Sequence, residues 1–167
     1  EKVWRNDQFF GGFTAYFAKF YGGMDERSHR YFRRGGGWMS KVIDAGNMRY
    51  TRRNEWVMLE DDVVTIGITD YAQGEIPDIN YVDMPAEEIE LNAGDEAATV
   101  ESANDSLSVL APMDGTVVEI NRLLEDNPEL VNGDPYGDGW LFRLEITDLA
   151  TWRDLMSAEE YEEYIEE

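Results

Sequence analysis

Cysteine is absent from this 167-residue chain, which excludes disulfide bonds, thiolate metal sites and cysteine nucleophiles. The one histidine, His29, lies close to the N-terminus, so residues 42–167 cannot build a histidine-based catalytic triad. Carboxylates are abundant, but no spacing among them singles out a general acid or a set of metal ligands. The most apolar window, FFGGFTAYFA, has about half the length of a membrane-spanning helix. We therefore expect no enzyme, no metal site and no transmembrane segment.

Lysine is almost as scarce. The chain has only Lys2, Lys19 and Lys41, and residues 42–167 contain none. Prosthetic groups such as lipoate and biotin are attached through the amine of a lysine. Residues 42–167 therefore cannot carry either group on a lysine.

Charge is divided unevenly along the chain. Residues 1–41 carry eight basic and four acidic side chains, a balance of +4, whereas residues 42–167 carry six arginines and 32 acids, a balance of −26. A strongly acidic domain repels nucleic acid and anionic membranes and favours basic partners. We therefore expect protein partners. Direct nucleic-acid binding is unfavourable, while the basic N-terminal arm leaves peripheral membrane contact open.

Residues 49–167 show the alternation and turn signals of short β-strands. The strand patterns are WVMLED, VVTIGITDYA, INYVDMP, AGDEAATVES and GWLFRLEI. Asn104 and Asp105 predict a hairpin tip, because both residues tolerate the left-handed backbone of tight turns. One helix is expected near ITDYAQGEI and another in TWRDLMSAEEYEEYIEE, where Ser157 and Glu160 have the spacing of a capping box. We predict a mainly β domain at 49–167 after an extension at 1–48.

The extension, residues 1–48, is basic and rich in aromatic residues. In DQFFGGFTAYFAKFYGG, phenylalanines recur at spacings of three and four, which predicts an aromatic stripe on a helix. Such a stripe either packs on the chain's own β-domain or docks into a partner. We favour docking, with these candidate residues: Phe10, Phe13, Phe17 and Phe20.

Arginines follow the aromatic stretch, in DERSHRYFRRGGGW. Arg30, Arg33 and Arg34, together with Arg27, fit one helical face. They are either solvated, paired within the chain, or bound to acidic lipid headgroups, RNA phosphate or an acidic protein. We treat Arg30, Arg33 and Arg34 as further candidates for docking.

Five segments resemble, in order, the H-protein of the glycine cleavage system. They are RYTRRNEWV, VVTIGITDYAQGEIPDINYVDMP, AGDEAATVES, LAPMDGTVVEINRLLEDNPELVNGDPYGDGWLFRLEI and LMSAEEYEEYIEE. The resemblance covers residues 49–167, about seven-tenths of the chain. It implies the mainly β fold of lipoyl and biotinyl carrier domains. This fold is a flattened antiparallel β-sandwich/barrel hybrid with short helices and a C-terminal helix.

The resemblance also implies what the hairpin does in the family. An H-protein carries lipoate on a lysine at the hairpin tip. This arm takes an aminomethyl group from a decarboxylase to an aminomethyltransferase, and a flavoprotein dehydrogenase then reoxidises it. Glu101 and Ser102 match the family pattern, and the lysine position two residues later is Asn104. An asparagine amide is short and non-nucleophilic, so Asn104 cannot take the lipoyl group, and we expect no cofactor.

Three other patterns near the tip are weaker. Asp105, Ser106 and Leu107 match the residues around the phosphopantetheine serine of acyl carrier proteins, but Pro112 and β-branched residues follow in place of a helix. Residues 104–106 form an N-glycosylation sequon. The loop NGDPYGDG lacks the ligand spacing of an EF-hand. We interpret the tip as a turn that favours Asn and Asp for its backbone geometry.

These observations favour a non-enzymatic, non-lipoylated subunit with a structural or accessory role in a larger assembly. The glycine cleavage system operates in the mitochondrial matrix of eukaryotes, so we expect a mitochondrial complex in the matrix or on the matrix side of the inner membrane. A respiratory-chain or ATP-synthase complex would suit a peripheral acidic module. The alternative is a homologue without the lipoyl arm that binds and modulates glycine cleavage enzymes or lipoyl ligase. A carrier that uses Ser102 or Ser106 is a third hypothesis.

Overall fold

A computed structural model describes residues 29–33, 39–43 and 45–166. This part of the chain contains eleven strands and five helices. The strands are β1 His29–Arg33, β2 Met39–Ile43, β3 Met48–Tyr50, β4 Glu55–Glu60, β5 Val63–Ile68, β6 Tyr81–Asp83, β7 Glu90–Leu91, β8 Glu96–Glu101, β9 Ser106–Leu110, β10 Gly115–Ile120 and β11 Phe142–Glu145. The helices are α1 Asp70–Glu75, α2 Leu123–Asp126, α3 Leu130–Gly133, α4 Leu149–Arg153 and α5 Ala158–Glu166.

The described strands form three sheets, and all their pairings are antiparallel. A six-stranded sheet has the order β3-β4-β5-β11-β10-β7, and a three-stranded sheet has the order β6-β8-β9. The strands β1 and β2 form a separate two-stranded sheet. The predicted mainly β, antiparallel fold is confirmed, and its sheets do not close into a barrel.

Strand β4, next to the edge strand β3, is buried on both faces over most of its length. Val57 belongs to a core cluster that draws residues from the six-stranded and three-stranded sheets. Its neighbours Trp56 and Met58 point the other way, into a second cluster rich in aromatic side chains. Alternate side chains of one strand therefore support two separate cores.

Trp56 requires a glycine on the neighbouring strand. It pairs across the sheet with Gly67, where an added Cβ atom would lie 2.6 Å from the indole ring. The indole Nε1 donates a hydrogen bond of 2.9 Å to the carbonyl oxygen of Pro135. The buried ring is thus satisfied at its one polar atom, and it fixes the loop before β11 against the sheet.

Both predicted helices are present. Thr69 caps α1, with its Oγ1 accepting from the backbone N–H of Ala72 at 3.2 Å. At the start of α5, Ser157 and Glu160 exchange hydrogen bonds of 2.7 and 3.2 Å between backbone N–H groups and side-chain oxygens, which confirms the capping box. Short helices, which the resemblance implied, are present as α2, α3 and α4, although the sequence patterns did not give their bounds.

The N-terminal arginines correct one expectation. Arg30 and Arg33 lie in β1, so the helical face expected for them is wrong. Arg34 lies outside the described residues, as does the aromatic stretch of the extension with its candidates Phe10, Phe13, Phe17 and Phe20.

A buried carboxylate connects the two larger sheets. Glu55, at the start of β4, is only 2% exposed. One of its oxygens accepts from the backbone N–H of Leu110 in β9 at 3.2 Å, and the other accepts from the Thr51 hydroxyl. Burial raises the pKa of Glu55, while these hydrogen bonds oppose the rise. This carboxylate holds the base of the β8–β9 hairpin against β4.

The raised pKa of Glu55 makes stability depend on pH. Between the unfolded and the folded pKa, the folded state binds more protons, so the free energy of unfolding rises as the pH falls through the folded pKa. A Glu55→Gln variant lacks this pH-dependent contribution to the free energy of unfolding. We therefore expect the wild type to gain stability relative to Glu55→Gln as the pH is lowered toward the ordinary range of a glutamate carboxyl.

Urea unfolding of both proteins at several pH values measures this difference. Because both proteins keep all other acids, the subtraction removes the general effect of the negative charge. A difference that stays constant with pH would show that Glu55 has an ordinary pKa in the folded protein.

Candidate functional site

The β8–β9 hairpin presents residues 102–105 at its tip. The two strands pair from Glu101 opposite Ser106 to Glu96 opposite Leu110, with a bulge between Glu96 and Ala98. The backbone N–H of Ser102 donates to the carbonyl of Asp105 at 2.9 Å, and the Ser102 hydroxyl accepts from the N–H of Asp105 at 3.2 Å. The hairpin predicted from the sequence is confirmed, with a turn that closes on itself.

Asn104 lies at the exposed end of this turn. Ala103, Asp105 and Ser106 beside it are exposed as well. The tip therefore offers short polar side chains and no amine, and residues 42–167 contain no lysine that a shift in register could bring there. Hydroxyl and amide groups of this kind can form hydrogen bonds but cannot form the amide linkage that lipoate requires.

The hairpin is supported on several sides. Val100 in β8 and Val109 in β9 are fully buried in the larger core. Strand β6 pairs with β8, with Tyr81 opposite Glu101, next to the tip. Together with the hydrogen bond from Leu110 to Glu55, these contacts fix the hairpin while its tip remains exposed. The hairpin is therefore anchored along its strands and exposes residues 103–106 at its tip.

The described residues offer no alternative site for a metal ion. No group of three or more His, Asp or Glu side chains in that part of the chain is arranged to hold one. The loop NGDPYGDG instead forms a turn, in which Asp134 accepts a hydrogen bond of 2.9 Å from the N–H of Asp138. In the same part of the chain, no helix is long and apolar enough to cross a membrane.

The end of strand β2, which belongs to the extension, is packed into the folded domain. Val42 and Ile43, at the end of β2, are fully buried in the second core cluster. The Tyr50 hydroxyl accepts a hydrogen bond of 2.8 Å from the N–H of Ile43 and donates one of 2.7 Å to its carbonyl oxygen. A single side chain thus satisfies both backbone groups of Ile43.

The C-terminal helix completes this attachment. The rings of Tyr50 and Tyr161 stack with centroids 4.6 Å apart and planes 7° from parallel. The Tyr161 hydroxyl donates to Asn54 at 2.9 Å and lies 2.7 Å from the Thr69 hydroxyl. Strand β2, α1 and α5 lie side by side. Strand β2 therefore lies beside two helices that carry acidic residues, and α5 contains five glutamates.

The sequence analysis missed this attachment site. Tyr50, Val42 and Ile43 carry no motif, and the contact between Tyr50 and Tyr161 joins residues more than a hundred positions apart. The only local signal was the apolar pair that follows Lys41, which is typical of a strand end that enters a core.

Comparisons with known proteins agree with this geometry. The glycine cleavage H-protein family matches residues 48–167. The H-protein of Coprothermobacter proteolyticus is 44% identical over 128 residues, covering 76% of this chain and 99% of that protein. The H-protein of Thermotoga maritima is 43% identical over 116 residues, covering 70% of this chain and 94% of its own.

A solved structure shows the same fold. The crystal structure of a glycine cleavage system H-protein from Mycobacterium marinum has a TM-score of 0.64 and 32% identity, covering 70% of this chain and 94% of that one. The antiparallel sheets and their exposed hairpin define a domain of the lipoyl carrier type. Within that class, the chain belongs to the glycine cleavage H-protein family. The family recognised from the sequence is confirmed.

The hydrogen bonds of Tyr50 predict a measurable loss on substitution. Tyr50→Phe removes the hydroxyl and leaves the buried N–H and carbonyl of Ile43 without this partner. We expect the free energy of unfolding to fall by about 2 kcal/mol, because buried polar groups without partners are costly. Trypsin should also cleave after Lys41 faster in the variant than in the wild type.

Tyr164→Phe is the matched control. Its hydroxyl donates to the carbonyl of Arg52 at the surface, so its loss should cost less than about 1 kcal/mol. Equal effects of the two substitutions would show that the contact between Tyr50 and Ile43 does not hold the extension to the domain.

Proposed function

We propose that this member of the H-protein family is not a carrier but a non-lipoylated subunit with a structural or accessory role in a larger assembly. The observation that carries the proposal is the tip of the β8–β9 hairpin, which is exposed and well supported but ends in Asn104. With no lysine in residues 42–167, the domain has no amine for a lipoyl arm. The domain keeps the fold of a carrier but lacks the lysine amine to which lipoate would be attached.

The extension supplies the means of attachment. The last strand of the extension is held by the hydrogen bond between Tyr50 and Ile43 and by the burial of Val42 and Ile43. A partner bound to the extension would therefore be connected to the folded domain. Its basic residues contrast with the charge of −26 on residues 42–167. This division of charge supports docking through the extension, with the acidic domain facing away from other acidic surfaces.

The H-protein family suggests where such an assembly is found. The proposed location is the mitochondrial matrix or the matrix side of the inner membrane, and a respiratory-chain or ATP-synthase complex is a suitable host for a peripheral acidic module. Within the proposal, Phe10, Phe13, Phe17 and Phe20 of the extension contact the host, together with arginines of the same segment. The acidic domain remains peripheral.

Native purification from the source tests the proposal. The chain is followed through gentle detergent extraction and size separation, and its partners and its intact mass are determined by mass spectrometry. We expect it to migrate with a large complex at a fixed stoichiometry and with an unmodified mass. Dissociation in high salt should be partial, because the aromatic contacts do not depend on ionic strength.

Two other results would contradict the structural role. Migration as a small, free protein would show that no stable assembly exists. Migration with glycine cleavage enzymes or with lipoyl ligase would favour a homologue that modulates those enzymes by occupying their binding surfaces. An added mass at Ser102 or Ser106 would reopen the hairpin tip as a working site.

A further inference from the structure

Most of the exposed large apolar side chains come from two stretches of the chain, residues 81–91 and 115–126. The described part of the chain has six such side chains, and four of them lie on these stretches: Tyr81, Ile89, Val118 and Leu123. Tyr81 and Leu123 are the most exposed, at 53% and 52%. Scattered apolar side chains are ordinary on a surface, but a group of them with polar residues around it marks an interaction site.

Backbone contacts hold the two stretches side by side. Strand β7 pairs with β10. The pairing continues before β7, because the N–H of Glu88 donates to the carbonyl of Val117 at 2.7 Å, and the N–H of Val117 donates to the carbonyl of Ile89 at 2.9 Å. Helix α2, which begins at Leu123, lies against β6, which begins at Tyr81. The four side chains therefore belong to one region of the surface.

This region is strongly acidic. The two stretches contain seven acids and one base, Arg122. The guanidinium of Arg122 lies 3.1 Å from the carboxylate of Glu87 and 3.8 Å from that of Glu125, so its charge is compensated within the domain. No other lysine or arginine occurs between Arg53 and Arg143. A partner must therefore bring positive charge, whereas the same surface of a second copy is repelled.

Glu88 holds an uncommon backbone conformation in this region. Its φ of 67° lies in the left-handed region, which a glycine would adopt without strain. The residue is exposed, so no packing in the core depends on its side chain. Strained residues cluster at binding sites, and we therefore include the Glu88 carboxylate in the interaction surface.

We propose that this surface binds a basic segment of a partner protein. Apolar side chains of the segment contact Tyr81 and Leu123, while its lysines or arginines pair with Glu88 and the neighbouring carboxylates. Tyrosine is enriched among the residues that dominate protein interfaces. The inference rests on the proposed structural role and adds a second contact to the one made by the extension. The acids orient the segment and repel nucleic acid and anionic membranes.

A synthetic peptide tests the surface with the full-length chain. The probe is capped and fluorescently labelled, and it contains lysines on both sides of a pair of leucines. Its binding is followed by fluorescence anisotropy at an ionic strength of about 0.1 M, where exposed charges more than about 10 Å apart are largely screened. We expect saturable binding that weakens by about fivefold or more in Leu123→Ser, because an apolar contact is lost without a change in charge.

Two controls show whether the apolar contact is specific. Leu149→Ser is the matched variant, because Leu149 also begins a short helix and is also exposed, but lies outside both stretches. This variant should bind the probe as the wild type does. A second peptide with serines in place of the leucines keeps the charge and should bind the wild type more weakly than the probe does.

Glu88→Gly separates binding from stability. Glycine relieves the backbone strain, so the midpoint of urea unfolding should rise, whereas the loss of the carboxylate should weaken binding of the probe. Asp61→Gly is the control, since Asp61 is another exposed acid with a positive φ, 55°, and lies at the turn after β4. It should leave binding unchanged. A residue with a structural role alone would not raise stability and lower binding together when replaced.

Several results would overturn the inference. These are no saturable binding, equal binding of the serine peptide, equal effects of Leu123→Ser and Leu149→Ser, and equal binding by Glu88→Gly and Asp61→Gly. Self-association in sedimentation that Leu123→Ser abolishes would assign the surface to a second copy instead. Failure of the peptide test while the chain still purifies in a complex would overturn this inference alone and leave the structural role intact.

Discussion

The stacked rings of Tyr50 and Tyr161 join three parts of the chain that are distant in sequence. Tyr50 lies in β3, at the edge of the six-stranded sheet, and Tyr161 lies in the C-terminal helix. Through its hydroxyl, Tyr50 also holds the end of the extension at Ile43. Because β3 and the segment before α5 exchange backbone hydrogen bonds at Tyr50 and Met156, the sheet edge is closed there. The stack therefore links the end of the extension, the edge of the sheet and the C-terminal helix.

Burial on this side of the sheet also shifts the pKa of a polar side chain. Tyr136 belongs to the same cluster, and burial raises the pKa of its hydroxyl well above its usual range. On the other side of β4, the buried carboxylate of Glu55 lies at the base of the hairpin. In place of water, it accepts hydrogen bonds from the Thr51 hydroxyl and the Leu110 N–H. Both sites follow the rule that buried polar groups need partners. The hairpin is consequently held at its base by a hydrogen bond, while its tip is exposed.

Much of the fold could be predicted from local sequence signals. The capping box of α5, the helix α1 and the tip of the β8–β9 hairpin each depend on residues a few positions apart, and all three are present. Features that depend on distant residues were not predictable in this way. Examples are the hydrogen bond from Leu110 to Glu55, across 55 positions, and the stack of Tyr50 on Tyr161.

The error at Arg30 and Arg33 has a different cause. A spacing of three residues suits a helical face, but it is equally compatible with a strand, and the β-branched or aromatic neighbours decide the outcome. In HRYFR, Tyr31 and Phe32 favour the strand that is observed. The absence of lysine from residues 42–167, in contrast, needed no structure, because it follows from the sequence alone.

The central claim is that this domain keeps the fold and hairpin of an H-protein but lacks only the amine that makes a carrier. The most direct measurement is the intact mass of the wild type and of Asn104→Lys after incubation with a lipoyl ligase, lipoate and ATP. Asp62→Lys, at the exposed turn after β4, controls for a lysine placed elsewhere. We predict that Asn104→Lys alone gains one lipoyl group. A lipoyl group on the wild type, or a folded Asn104→Lys protein that stays unmodified, would contradict the account.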